Sequence, residues 1–438
     1  MSGQDDKINW LHSEVQRWLR EGIVDASQAR SISGLYPLPQ TKTSRPWALM
    51  VFSGIGAVIV GLGVILLFAY NWDQMSKFAK LSVVFGSLIL AHLIGIMLFV
   101  RSERFRGIGE SLCLLGTMLF GAGIWLIAQI YHIEEHYPNA FLLWGIGAFL
   151  MAWTMPSIIQ AILASVLFAI WAGAESMEFS SSVPYVFAFL LLMLPIAYAK
   201  RSRTLLIVLL ISFVFSTIFV VASYKEGMLV FPVLLGIFSV CTVAGLIHQK
   251  FKYELFASCY SFLGLAGYFI VMYLLAFPCI LEEVVKIRNF FDVGILFYWF
   301  VPSVIAVAGW IYIAGQVLKK NTFEFYSPDL FLMPLMAIFL YYYYFSITKY
   351  FQWPASAVFN LVFLAHSVML MGRGCLNVRL IPVIIGSLFI IALMIARFTD
   401  FIDNLAVRGL IFVVIGILIF GQGFFYIHSK KKKALRES

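Results

Sequence analysis

Charge is what this chain has least of. Asp, Glu, Lys and Arg make up 12% of its 438 residues, about half of the roughly 25% found in soluble globular domains. With 62% hydrophobic residues and a mean hydropathy of +0.92, that scarcity excludes a soluble enzyme domain. Long polar segments are missing too. Only residues 1–46 form a water-facing stretch of any size, so no extracellular domain is expected. Cysteine is sparse, at five residues. Cys113, Cys241, Cys259 and Cys279 fall inside apolar runs and Cys375 in a loop, and their spacing fits neither a zinc site nor a disulfide framework. Each reads as a small buried apolar residue. The first apolar run starts only near Trp47, so no cleavable signal peptide is expected. Finally, no Asp or Glu lies near the centre of an apolar run. Ion-coupled transporters need such carboxylates, so their scarcity argues against ion coupling.

What the chain has instead is about fourteen apolar runs, each near the ~20 residues that cross a bilayer core. They cover 47–70, 81–100, 111–131, 140–155, 157–173, 183–199, 204–223, 228–247, 255–281, 293–317, 329–348, 354–371, 380–396 and 405–427. Only Pro156 separates the fourth from the fifth. The expected fold is all-α, a polytopic membrane helical bundle. It divides into a helical hairpin at 1–46, four spans at 47–155, about ten more at 156–427 and a basic tail at 428–438. Its principal partner is the lipid bilayer. The net charge of +9 does not call for nucleic acid, because Lys and Arg sit in short loops between the runs, where they set topology.

Residues 1–46 carry their own signals. Ile8, Leu11, Val15 and Trp18 recur at helical spacing, Arg17 and Arg20 suit the last turn, and Gly22 ends it. Asp25 and Gln28 then read as a variant capping box opening a second short helix that stops before Pro37. The apolar face of this hairpin packs on its own partner helix or the membrane surface, or docks a cytoplasmic protein at residues 1–36.

Several stretches resemble a known family. RWLREGIVDASQARSI at 17–32, GIGAVIVGLGVILLFAYNWDQMSKFAKL at 54–81, GAGIWLIAQIYHI at 121–133 and LLWGIGAF at 142–149 resemble, in order and spacing, predicted bacterial membrane proteins with the domain of unknown function DUF2157. RFTDFIDNLAVRGLIFVVIGILIF at 397–420 looks like the closing segment of longer members, while 156–395 matches only as generic membrane helices. The resemblance implies a multi-pass protein of the bacterial cytoplasmic membrane. It supplies no activity, catalytic residue or cofactor.

Candidate chemistry is thin. His132-Ile-Glu-Glu135-His136 fits the H-x-x-E-H spacing of inverted zinc proteases, with two His one helical turn apart as zinc requires. No later Glu is evidently placed as a third ligand, so the segment reads foremost as an interfacial polar turn. Two outer breaks resemble each other: Asn71, Asp73 and Lys77 in one, Arg397, Asp400 and Arg408 in the other. They read as interfacial anchors or, if the first and last hairpins are neighbours, as one polar outer site. Within the runs, Asn360 and His366 lie near the middle of the twelfth, while Gln129, Gln160 and Gln316 lie nearer ends. His366 reads as an interhelical hydrogen-bonding residue. Ser53, Ala57 and Gly61 form a small-residue stripe suited to close helix packing, with Gly409 and Gly416 in a similar role.

Three functions fit. The first is a transporter-like or lipid-handling protein for an apolar or uncharged substrate. The second is a non-enzymatic scaffold or sensor signalling through the hairpin, and the third a membrane zinc hydrolase using His132, Glu135 and His136. The first fits best, and no cofactor is implied.

Topology is the most direct test. With the N-terminus inside, inner segments hold 23 Lys and Arg and outer loops 8 of the total 31, which puts both termini in the cytoplasm. A reporter fused after Ser438 should therefore read as cytoplasmic and one inserted within 132–139 as outside. The reverse at either site would overturn this orientation.

Overall fold

Apolar runs in lipid fold as helices because backbone N–H and C=O groups must be satisfied within the segment. A computed structural model describes residues 3–36, 75–101, 103, 105–133, 136–223, 230–249, 254–286, 293–319, 328–346 and 352–400, with single helical positions between 413 and 428. The chain forms two compact units, 1–80 and 81–438.

In the first unit, α1 (Gly3–Arg20) and α2 (Ala26–Leu35) pack as the expected hairpin. Gly22 takes φ +72°, the left-handed turn that glycine adopts without strain. Asp25 Oδ1 accepts the backbone N–H of Ser27 at 2.7 Å and of Gln28 at 2.8 Å, and Gln28 Oε1 accepts the Asp25 N–H at 3.0 Å. These donors, Gln28 N–H foremost, hold the Asp25 carboxyl below its ordinary pKa. Val15 and Ala29 are buried.

Thirteen further described helices follow: α3 (Lys77–Arg101), α4 (Arg106–Tyr131), α5 (Pro138–Thr154), α6 (Ile158–Phe179), α7 (Val186–Ala199), α8 (Arg203–Ala222), α9 (Val230–His248), α10 (Glu254–Leu275), α11 (Pro278–Lys286), α12 (Val293–Leu318), α13 (Leu332–Ser346), α14 (Gln352–Leu376) and α15 (Leu380–Asp400). Eight are long and apolar enough to cross a membrane, and four more are apolar but shorter. No strand occurs among the described residues.

Glycine sets how closely these helices approach. Along α9 and α10, Gly245 meets Ser261, Thr242 meets Gly264 and Phe238 meets Gly267, the opposed order of an antiparallel pair. A Cβ at Gly264 would lie 2.6 Å from the Thr242 backbone N and 2.8 Å from the Phe238 carbonyl O. The α3–α4 pair repeats this: a Cβ at Gly109 would lie 2.5 Å from the Gly95 carbonyl O. So does α14–α15, where a Cβ at Gly386 would lie 2.7 Å from the Ser367 carbonyl O. Lipid tails are as apolar as leucine, so such close packing, rather than burial from water, holds membrane helices together.

α9 is central. It packs on α8, α10, α12 and α13, and 72% of its apolar window is buried against 11% in α3. One core, around Phe168, Trp171, Met193 and Leu205, unites α5–α10. A second, around Tyr268, Met272, Trp310, Met333 and Phe359, unites α9–α15.

The structure corrects several expectations. The run 255–281 is two helices, because Pro278 lacks the N–H that would continue α10. The run 329–348 opens as a 3₁₀ turn, Pro328–Phe331. Helix α7 has only 14 residues, about 21 Å at 1.5 Å per residue, short of a ~30 Å core. Cys375 lies in α14 and is buried, not in a loop, whereas Cys279, on the short α11, is exposed. The Pro156 boundary holds, with α5 and α6 joined by a tight turn and packed along their length. Residues 47–70, including Ser53, Ala57 and Gly61, lie outside the described residues, as does Gly409. No described atom lies within 4 Å of a Cβ placed at Gly416, whose sequence neighbours are mostly outside the described residues.

The glycine seams predict a matched pair of variants. Gly264→Ala should lower thermal stability in detergent, because the new methyl collides with backbone. Gly372→Ala meets nothing within 4 Å and should be neutral or stabilising, by up to about 1 kcal/mol from helix propensity. Equal effects on the melting temperature would contradict the packing account.

Candidate functional site

Three apolar stripes face a common space. Helix α10 contributes Phe262, Leu265, Ala266 and Phe269, and α14 contributes His366, Leu370, Arg373 and Gly374, continuing to Asn377. Helix α15 contributes Pro382, Ile385 and Phe389. The spacing of three, four and seven residues puts each set on one helix face. Together with Asp329, Leu330 and Arg379 they enclose a cavity of about 340 Å³, at the small end of the roughly 300–1,000 Å³ typical of ligand sites.

Its inner wall holds a buried polar triad. His366 Nδ1 contacts Asp329 Oδ2 at 2.7 Å, with side chains 0% and 9% exposed. On the other side of the ring, Nε2 meets the Tyr268 hydroxyl at 3.1 Å. Both ring nitrogens are thus engaged, and Tyr268 and Phe269 pack edge-on against the ring. His366 is the interhelical hydrogen-bonding residue its position suggested. Its partners were missed. Asp329 was read as the start of a span, and nothing local in SPDLF marks it as a partner for a histidine 37 residues later.

The opposite end is basic. The turn after α14 is closed by Asn377 N–H to Arg373 O at 2.9 Å and Arg379 N–H to Gly374 O at 2.9 Å. Val378 takes φ 54°, a left-handed conformation that a β-branched residue adopts only when its surroundings impose it. This turn brings Arg373, which is half-buried, and the exposed Arg379 to one rim of the cavity.

Asn360 serves structure. At the α10–α11 break the Ala276 carbonyl loses its helical partner, since Ile280 N–H bonds Phe277 O instead. Ser356 Oγ–H donates to that carbonyl at 2.5 Å and Asn360 Nδ2–H at 3.1 Å. Broken helices persist in membranes only where such donors replace the lost bond.

The two described histidines of the H-x-x-E-H segment have different surroundings. His132 is the exposed, left-handed C-cap of α4 with φ 52°, and Glu135 lies outside the described residues. His136 instead reaches Glu175 of α6, its Nε2 standing 2.8 and 2.9 Å from the two carboxylate oxygens. Trp171 Nε1–H donates to Glu175 Oε1 at 3.1 Å. A later Glu therefore does meet this motif, contrary to expectation, because α6 runs past Gly173 to Phe179 and carries a buried carboxylate inward. Desolvation, reinforced by Glu178 and Glu175, pushes the nearby Tyr137 phenol up. Among the described residues, no group of three His, Cys, Asp or Glu side chains is placed to hold a metal ion.

Of the two outer breaks, Asn71, Asp73 and Arg408 lie outside the described residues, Lys77 opens α3, and Arg397 and Asp400 lie in the last turns of α15.

One polar network ties α4 to α6. Ser157 Oγ–H donates to Glu110 Oε1 at 2.5 Å and caps the Gln160 N–H, and the buried Gln160 Nε2–H donates to Thr117 Oγ1 at 3.0 Å. These residues all lie within the stretch that sequence comparison recognises. Residues 16–161 match the family described as predicted membrane protein (DUF2157). No curated protein and no solved structure matches the chain. The DUF2157 match agrees with the resemblance read over the first 155 or so residues. It spans the hairpin's second half through the start of α6, so the cavity at residues 262–389 lies entirely beyond it.

The triad predicts coupled energetics. In a double-mutant cycle, Asp329→Ala and His366→Ala should interact by about 0.6–1.7 kcal/mol, the range for hydrogen bonds between membrane helices. Strictly additive losses in detergent-unfolding measurements would show that the 2.7 Å contact contributes nothing to stability.

Proposed function

We propose that this multi-pass membrane protein handles lipid-like amphiphiles, and that the cavity between α10, α14 and α15 is where it binds them. The observation that carries this reading is the composition of that cavity: apolar walls from three helices, with polar groups gathered on its inner wall and at one rim. Ligand sites are mostly apolar concavities with a few convergent polar groups. The walls also reach the outside of the bundle, since Phe262 is 76% exposed and Ile385 38%. In a bilayer those positions face acyl chains, giving a lateral entrance. With both termini in the cytoplasm of a bacterium, the Arg373–Arg379 turn sits at the inner leaflet.

Buried carboxylates revise the argument against ion coupling. Glu175 and Asp329 are both shielded and both paired with histidine, and ionisable residues in such places are expensive and tend to be functional. Transport coupled to a proton is therefore compatible with the site.

Leu370→Trp tests the reading by filling the cavity. The parent protein should gain thermal stability when a single-chain amphiphile is added to it in detergent. The variant, with a melting point close to the parent's in the absence of ligand, should gain little or none. Equal stabilisation of both proteins would place amphiphile binding elsewhere.

A further inference from the structure

We propose that the face formed by α5 and α7 carries bilayer phospholipids from one leaflet to the other. This face belongs to the first core. It is separate from the cavity between α10, α14 and α15 and does not require that cavity to bind anything.

Helix α7 is too short for its place. Its 14 residues span about 21 Å, whereas the neighbouring α6 and α8, with 22 and 20 residues, span about 33 and 30 Å and match a ~30 Å core. Ring contacts show where the length is missing. Phe189 stacks on Phe168 of α6 at 4.5 Å, and Tyr185, just before α7, meets Trp171 at 5.0 Å. From Trp171, α6 continues eight residues to Phe179, about 12 Å, beyond the start of α7. At the opposite end the two helices finish level, ten residues from Phe168 back to Ile158 and ten from Phe189 on to Ala199.

Irregular backbone at 180–185 covers the missing 12 Å. Ser181 N–H donates to the Glu175 carbonyl at 3.2 Å, so this segment descends against the last turns of α6. Ser180, Pro184 and Tyr185 are exposed, and the buried Ser182 Oγ has no hydrogen-bond partner. Irregular backbone facing hydrocarbon would leave N–H and C=O groups unmet. Water and headgroups therefore dip along this side of the bundle to reach it, and the bilayer thins there. The His136–Glu175 pair adds polar groups beside the same turns of α6.

The lipid-facing stripe of α7 offers a headgroup a halfway stop. Ala188, Leu191, Leu192, Pro195 and Ala199 are exposed at the spacing of one helix face. Pro195 has no N–H, so the donor that would meet the Leu191 carbonyl is missing. Along the helix that carbonyl is about 9 Å from Tyr185 and about 14 Å from Lys200, which divides the crossing into two short steps. Helix α5 supplies the adjoining wall. Its Phe149 meets Phe189 at 5.8 Å, and its Leu143, Leu150 and Trp153 are exposed.

The full chain is reconstituted in vesicles of phosphatidylethanolamine and phosphatidylglycerol with a trace of chain-labelled fluorescent phosphatidylethanolamine. Dithionite added outside then bleaches whatever label reaches the outer leaflet. Inner-leaflet label should disappear at least about tenfold faster than from protein-free vesicles, because a thinner, hydrated strip lowers the cost of carrying a headgroup across. Pro195→Ala restores the donor to Leu191. It should slow the loss several-fold while melting no lower than the parent, since proline inside a helix is destabilising. Ser181→Leu with Ser182→Leu, which makes the irregular segment apolar, should slow it too.

Parent vesicles that bleach no faster than empty ones overturn the assignment, as do both variants matching the parent. Bleaching of a water-soluble dye trapped inside would reveal a leak and overturn it as well. Flow stopped by Leu370→Trp and not by Pro195→Ala would route lipid through the cavity and remove the α7 face from the path.

Discussion

Backbone-to-backbone approach at glycine is the constraint on which the bundle depends. In lipid there is no gain from hiding leucine from water, so two helices associate only as far as their surfaces fit. The α3–α4, α9–α10 and α14–α15 pairs meet that condition the same way. Gly109, Gly264 and Gly386 each sit where a methyl group would collide with the backbone of the opposite helix. The two inner pairs then frame what lies between them. Helix α10, pinned to α9 through Gly245 and Gly264, turns its other face to α14, and α14 is pinned to α15 through Gly374 and Gly386. The cavity lies among α10, α14 and α15, beside these seams.

Polar side chains do a second job, that of satisfying what the packing leaves open. Asn360 and Ser356 cap the carbonyl freed at the α10–α11 break. Glu175 takes both His136 and Trp171, and Trp310 donates to Ser239 at 2.8 Å between α12 and α9. Apart from the Trp171–Glu175 bond within α6, each joins residues far apart in the chain, so it fixes register as well as removing the cost of an unmet polar group in a low-dielectric interior.

Local signals were the legible ones. Gly22, Asp25 and Gln28 announced the hairpin because a capping box is written in residues three apart. Apolar runs of about twenty residues announced most of the spans. What could not be read depended on distant partners. At the break before Pro278 the freed Ala276 carbonyl is met by Ser356 and Asn360, from 80 and 84 positions away. Glu175 falls in the break after the run 157–173, and only the fold sets it beside His136, 39 residues earlier. The three stripes that line the cavity each have ordinary helical spacing, and nothing in 262–269, 366–377 or 382–389 alone distinguishes a ligand face from a lipid face. Asn360 and His366 were noticed from their position, but their roles came only with Ala276, Asp329 and Tyr268.

The account turns on the space between α10, α14 and α15 being a lipid site. A cryo-electron microscopy map of the full chain, in nanodiscs formed directly from its native membrane, tests that without any added ligand. The account predicts an elongated non-protein density there, leaving past Phe262 and Ile385. A map in which Leu370, Phe269 and Phe389 close on one another and fill that space would contradict it.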